Sequence, residues 1–246
     1  MMANPKVSIS VVIPAFEEEL RISDTIRRIH EYLTKRSEEF EIIVVDDGSS
    51  DKTVDVVESL GKALGNIRLK RNSVNKGKGF SVRKGILSSL YTPILICDAD
   101  LSTPIEELEK LLPYYYEGFD IIIGSRGLKE SDIVKRQPWY RERMGKIFNL
   151  IVRSVVLDGF KDTQCGFKVF KGAVAQKIFK LCRVDGFSFD VEMLFIAQMM
   201  GYRIKEVPIR WINSPSSRIR ILRDSFRMLV DIFVIRFNRI HRLYHL

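Results

Sequence analysis

Long apolar runs, paired cysteines and clustered histidines are what this sequence has least of. No continuous apolar stretch approaches the ~20 residues that a bilayer-spanning helix needs. The N-terminal MMANPKVSISVV lacks the basic-then-apolar order of a signal peptide, and its apolar run breaks at Pro14 before three glutamates. A soluble or peripheral chain is expected. Cys97, Cys165 and Cys182 are odd in number and show no C-x-x-C spacing, which argues against a disulfide framework or a zinc site and fits a reducing cytosol. His30, His241 and His245 fall outside every motif described below. Acidic residues are outnumbered, 31 against 40 Lys and Arg, for a net charge of +9. That balance points to a polyanionic partner: nucleic acid, an anionic membrane surface or a phosphorylated substrate.

What is present is an ordinary globular composition, 46% hydrophobic and 29% charged over 246 residues, enough for one large α/β domain. Short β-branched runs at 7–14, 41–47, 66–72, 92–100 and 119–125 alternate with amphipathic segments near 18–36, 51–64 and 79–90. This alternation predicts a mostly parallel sheet covered by helices. A basic stretch, RGLKESDIVKRQPWYRER, then leads into a helical pattern at 144–156, the segments DTQCGFKVF and FSFDVEMLFIAQMMGY, a strand pair around 204–212 and a helical C-terminus from 219. There is no repeat and no low-complexity linker. The expected organisation is one domain over 1–246: a ligand-binding half to residue 125, a second half over 126–218, and a terminal amphipathic helix over 219–246.

One stretch poses a chemical question. ILICDADLSTPIEEL is an apolar run that stops on Asp98 and Asp100. Like charges this close raise one pKa unless a cation or hydrogen-bond donors sit between them, so something positive is expected there. Ser102 or Thr103 is expected to cap a helix that has Pro104 at its first position. In open parallel sheets the ligand crevice lies outside the carboxyl ends of the strands, which should gather Pro14, Asp46, Asp47, Asp98 and Asp100 on one edge.

VVIPAFEEE, IIVVDDGSSDKT, NKGKGFSVRKG and ICDADLSTP, in this order and at strand ends, resemble the nucleotide-sugar-binding half of family 2 inverting glycosyltransferases of the GT-A fold. GSR at 124–126, DTQCGFKVF and FSFDVEMLF are similar to the polyprenyl-phosphate glycosyltransferases, nearest the dolichyl-phosphate β-glucosyltransferase type. Dolichyl-phosphate mannose synthases tend to carry Gln where this chain has Ser102. The eukaryotic glucosyltransferases have an N-terminal membrane anchor, which is missing here; the expected location is peripheral, at the cytoplasmic face of a membrane.

The resemblance implies roles. Asp98 and Asp100 hold Mg²⁺ or Mn²⁺, a hard ion suited to oxygen ligands, which neutralises the leaving diphosphate. Pro14, Ala15, Glu17, Asp46 and Asp47 hold the nucleoside, with Lys78 on a phosphate and Gly77 and Gly79 permitting close backbone approach to the ligand. Arg126 and Arg141, and more weakly Arg218, grip the lipid phosphate. Asp162 lies under the acceptor pocket with Gln164, and Asp190 lies with Glu192 near the position of the general base in hydroxyl-using relatives. From their spacing, Trp139, Tyr140, Ile147, Phe148, Ile151 and Val152 read as an amphipathic surface in the membrane interface or as a buried core helix, and Phe226, Leu229, Phe233 and Phe237 on the terminal helix as an interface face or one buried against the sheet or in a dimer contact. The implied activity is metal-dependent transfer of glucose from UDP-glucose to a dolichyl or polyprenyl phosphate, with no nucleic-acid partner. The alternatives are GDP-mannose or another UDP-sugar as donor, or a basic membrane-surface or nucleic-acid-binding module on an inactive transferase fold.

Overall fold

The computed structural model describes residues 7–135, 138–157, 159–214 and 221–244. Its main sheet has seven strands in the order β3-β2-β1-β4-β7-β5-β8. These are β1 (Val7–Ala15), β2 (Ser37–Asp46), β3 (Ile67–Arg71), β4 (Ile94–Ile96), β5 (Ile121–Ser125), β7 (Lys168–Phe170) and β8 (Ile204–Pro208). β1, β2, β3 and β4 run parallel, as do β5 and β8, while β7 lies antiparallel between β4 and β5. The first strands are continuous apolar runs because both faces are covered. Ile43 and Val45 of β2 pack into one core with α3 (Lys78–Leu87), α6 (Gly172–Leu181) and α7 (Phe189–Met199), while Ile42 and Val44 face α1 (Ile22–Arg36), α2 (Thr53–Leu64) and α4 (Leu108–Tyr116).

From β1 the chain steps outward through β2 to β3 and then returns to place β4 on the other side of β1. This reversal opens a crevice at the carboxyl ends of β1 and β4, the place where parallel sheets receive ligands. The remaining elements are α5 (Trp139–Val155), α8 (Ile221–Ile240) and a two-stranded parallel sheet of β6 (Asp132–Lys135) with β9 (Arg210–Ile212).

Four expectations are corrected. The run 92–100 is strand only over β4, because the chain turns at the acids: Leu101 has φ 46° and its N–H donates to the Asp98 carbonyl. Neither Ser102 nor Thr103 caps a helix. Pro104 precedes a 3₁₀ turn, Ile105–Glu107, and the Asp100 carboxylate accepts from the Ser102 N–H instead. The strands near 204–212 do not pair with each other, because Ile209 N–H bonds Ser125 and the chain then crosses to β6. The segment around 132–135, read as a basic stretch, is a strand.

Candidate active site

Asp98 and Asp100 stand on the turn after β4. That turn is tied to the core by the Thr25 hydroxyl donating to the Ala99 carbonyl at 2.6 Å and by the Ser102 N–H donating to Asp100 Oδ1 at 2.9 Å. The expected positive charge is a side chain: Lys78 Nζ lies 2.6 Å from Asp98 Oδ1. On its other side the Asp98 carboxylate packs on the Cα of Gly166, where any Cβ would lie less than 3.0 Å from it.

Two further ion pairs flank this one. Arg126 and Asp162 form a fork, Nε to Oδ2 at 2.6 Å and Nη2 to Oδ1 at 2.9 Å. Lys168, fully buried on β7, donates to the Asp190 carboxylate and to the Cys165 carbonyl. A buried charge is tolerated only when paired and hydrogen-bonded, and the alternation of sign satisfies that condition. Burial alone would raise the pKa of Asp98, but the Lys78 ammonium, with Lys168 and Arg126 behind it, outweighs burial and lowers it. Asp162 is held at about 2 by Arg126 against the opposing effect of burial. For Asp190 burial wins over Lys168 and Lys78, and its pKa is raised.

Two cavities open on this cluster. The first, about 940 Å³, extends along the carboxyl ends of β1 and β2 and is lined by Pro14, Ala15, Asp47 and Lys76, with Arg227 and Asp231 of α8 opposite. The second, about 420 Å³, is lined by Arg126, Gln164 and Trp211 and by Ile147, Ile151 and Leu229 from α5 and α8. Lys78, Asp98 and Asp100 line both. The two cavities therefore meet at one pair of acids, and the second runs from the polar groups around them to the apolar side chains between α5 and α8.

Not every expected residue faces these cavities. The Asp46 carboxylate is fully buried and accepts from the Gly48 and Ser49 N–H groups, so it stabilises its own turn. Glu17 accepts from the Ser50 N–H and hydroxyl, and its neighbour Glu18 lines the first cavity instead. Asp47 does line it, but its carboxylate also accepts from the Asn72 side chain and from the Lys76 and Gly77 N–H groups at 2.8 to 2.9 Å, so it shapes the lysine-bearing loop. Gly77 and Gly79 permit close approach of the backbone at Asp185 and Val184, and Gly77 also lines the first cavity. Asp162 lies behind Arg126, and Gln164 reaches the second cavity. Glu192 is turned away: it accepts from the Arg183 and Val184 N–H groups and from Tyr244. Asp190, by contrast, lines the second cavity. Arg141 falls on α5 with its side chain outside the described set, and Arg218 lies outside the described residues. Of the expected apolar face on α5, Phe148 and Val152 belong to the core, while Trp139 and Ile147 are exposed together with Leu150. On α8, Phe226, Phe233 and Phe237 are exposed but Leu229 is half-buried against the core.

Lys168, Gly166, Trp211 and Arg227 were not singled out from sequence. The first two sit inside DTQCGFKVF, and a lysine between apolar neighbours in a strand-like run was the available signal. Trp211 and Arg227 carried none.

Among the described residues no group of three or more His, Cys, Asp and Glu could hold a metal ion. Asp98 and Asp100 offer a hard, oxygen-only donor pair at the mouth of a cavity. This fits a small divalent cation that draws its remaining ligands from a bound phosphate and water.

Sequence comparison decides the class. The family model "Glycosyl transferase family 2" matches residues 10–179. The chain belongs to this family. As a family 2 glycosyltransferase it is 33% identical to a dolichyl-phosphate beta-glucosyltransferase of Dictyostelium discoideum over 94% of this chain and 75% of that protein. It is 32% identical to the human enzyme of the same name over 95% and 76%. Crystal structures of glucosyl-3-phosphoglycerate synthase from Mycobacterium tuberculosis share the glycosyltransferase fold. One in complex with Mn²⁺, UDP and phosphoglyceric acid gives a TM-score of 0.71 at 18% identity, covering 95% of this chain and 78% of that one.

Proposed function

We propose that this glycosyltransferase moves glucose, with inversion, from UDP-glucose to a dolichyl or polyprenyl phosphate. The observation that carries the reading is the meeting of two cavities at Asp98 and Asp100, in a chain whose relatives are named dolichyl-phosphate beta-glucosyltransferase. Residues 1–246 act as one catalytic domain, the first half holding the donor and the second the acceptor, with α8 against both.

In this reading the first cavity takes the nucleotide along Pro14, Ala15 and Asp47. Asp98 and Asp100 hold Mg²⁺ or Mn²⁺, which supplies Lewis-acid stabilisation of the diphosphate charge. The wall of the second cavity at Arg126 takes the acceptor phosphate. Asp162 fixes the guanidinium plane through Nε and Nη2, which leaves Nη1 to orient a phosphate oxygen. A phosphate monoester is largely dianionic at neutral pH, its second pKa being about 6. Its oxygen therefore forms the new bond to the anomeric carbon as the bond to UDP breaks, with no proton to remove. Asp190, bound to the Lys168 ammonium, positions and tunes the field rather than acting as base.

The apolar lining between α5 and α8 receives the start of the lipid tail. Exposed Trp139, Leu150, Phe226 and Phe233, with Arg223 and Arg227 nearby on α8, suit a helix surface lying in an anionic interface. On the strength of this surface we place the protein peripherally on the cytoplasmic face of a membrane; no helix among the described residues is long and apolar enough to cross one. The test is a donor panel: UDP-glucose, other UDP-sugars and GDP-mannose, each with a polyprenyl phosphate and Mn²⁺. Formation of a glucosyl phospholipid from UDP-glucose, with at most trace product from the others, supports the reading; mannolipid as the main product overturns it.

A further inference from the structure

The lysine on Asp98 raises a question about the order of binding. Its ammonium takes Oδ1 of one of the two carboxylates that would hold the cation, at 2.6 Å. An ammonium and a divalent cation on one carboxylate repel each other strongly in a partly buried site, so one of the three partners must give way.

The surroundings decide which. Asp98 is restrained: its carboxylate rests against Gly166 on one side, and the Cys97 N–H at the root of its turn is bonded to β1. The backbone of Lys78 is equally fixed, since Gly77 packs on the Asp185 carbonyl and its N–H is held by Asp47. The four-carbon stem of Lys78 is the flexible part, and Lys78 lines the first cavity as well as the second. A diphosphate placed in the first cavity presents the ammonium with a stronger anion than the carboxylate it leaves.

We propose that Lys78 is an exchangeable counter-ion, neutralising Asp98 until a nucleoside diphosphate draws its ammonium away, so that nucleotide binding admits the divalent cation. The inference rests on the donor reading above and adds to it a source of cooperativity: part of the coupling between nucleotide and metal belongs to a side chain and not only to shared phosphate ligands. Linkage makes the coupling reciprocal, each ligand tightening the other by the same factor.

The experiment is equilibrium Mn²⁺ binding, read as free Mn²⁺ by electron paramagnetic resonance, with and without saturating UDP. It is run on wild type, Lys78→Met, Lys78→Gln and Lys78→Arg, with UDP binding to each confirmed by calorimetry. The coupling factor is the Mn²⁺ Kd without UDP divided by that with UDP. Removal of the ammonium in Lys78→Met or Lys78→Gln is expected to tighten nucleotide-free Mn²⁺ binding and to shrink the coupling factor by about tenfold or more, within the usual span of such couplings. Lys78→Arg, which keeps the charge, retains most of it. If both neutral variants bind Mn²⁺ more tightly by the same factor with and without UDP, or no more tightly at all, Lys78 does not exchange and the proposal is overturned. A wild type that binds no UDP at all overturns the donor reading and this proposal together, an outcome distinct from an unchanged coupling factor with UDP bound.

Discussion

Gly166→Ala is the sharpest single-atom test of the site. An added methyl at Gly166 meets Oδ1, Oδ2 and Cγ of Asp98 first, all at less than 3.0 Å, and its backbone φ lies outside the left-handed region, so the clash is with that carboxylate and not with the backbone conformation. The carboxylate must retreat by roughly 1 Å to relieve the clash, and misplacement on that scale costs about a hundredfold in rate when it strikes a positioned group. Overpacking itself is worth about 1 to 3 kcal/mol, which a protein of this size survives. Glucosyl transfer is expected to fall about a hundredfold, with Mn²⁺-dependent UDP affinity falling alongside it and the far-ultraviolet circular dichroism unchanged. Initial rates at saturating donor, paired with thermal denaturation, provide the assay. A Gly166→Ala protein that turns over and binds Mn²⁺ like wild type would refute the assignment of Asp98 to the cation, because the carboxylate cannot stay where it is.

Other predictions follow from the flanking pairs and the helices. Arg126→Lys keeps the charge facing Asp162 but loses the fork; it should raise the KM for polyprenyl phosphate by about tenfold, the worth of one charge-assisted hydrogen bond, and leave the KM for UDP-glucose nearly unchanged. Equal rises in both would assign Arg126 a structural role. Asp162 has a folded pKa of about 2, below its ordinary value of 3.8, so its contribution, about 2 kcal/mol, is full above pH 4 and lost as pH falls towards 2. Asp162→Asn should flatten urea-unfolding stability against pH across that window, and an unchanged slope would contradict the pairing. Phe233→Ser with Phe237→Ser, both exposed on α8, should abolish co-sedimentation with anionic vesicles. Wild-type binding should weaken as salt rises, since surface charge attraction is screened, and vesicle binding untouched by both changes would assign the face elsewhere.

The sheet was legible because buried parallel strands carry unbroken apolar runs, and the edge that gathers ligands was legible because those runs end on Pro14, Asp47 and Asp98. What a strand-end acid does there was not. Asp46 and Asp47 are neighbours of one type, yet the Gly48 turn folds Asp46 back onto its own amides while Asp47 faces the cavity. The direction is set by a turn whose closure depends on tertiary packing. Lys168 was hidden for a related reason: a lysine between apolar neighbours shows in the sequence, but its partner Asp190, 22 residues away on α7, does not. β7 was not read as a strand at all, because three residues are too few to show a strand's period or its antiparallel place between β4 and β5. The helical faces were half legible. Phe148 and Val152 share the period of Ile147 and Leu150 but turn inward, and only the partner helix α8 decides which side is core.

The central claim is that two substrates react where Asp98 and Asp100 hold a cation between them. It is tested most directly by the initial rate of glucose transfer from UDP-glucose to a polyprenyl phosphate, measured with Mn²⁺, after EDTA, and after Mn²⁺ is restored. The account predicts turnover that falls by at least about a hundredfold in EDTA, on the scale of a lost electrostatic stabiliser of the transition state, and returns on restoration. Asp98→Asn and Asp100→Asn proteins of unchanged fold should stay inactive throughout. Undiminished turnover in EDTA, or an Asp98→Asn protein as fast as wild type, would contradict it.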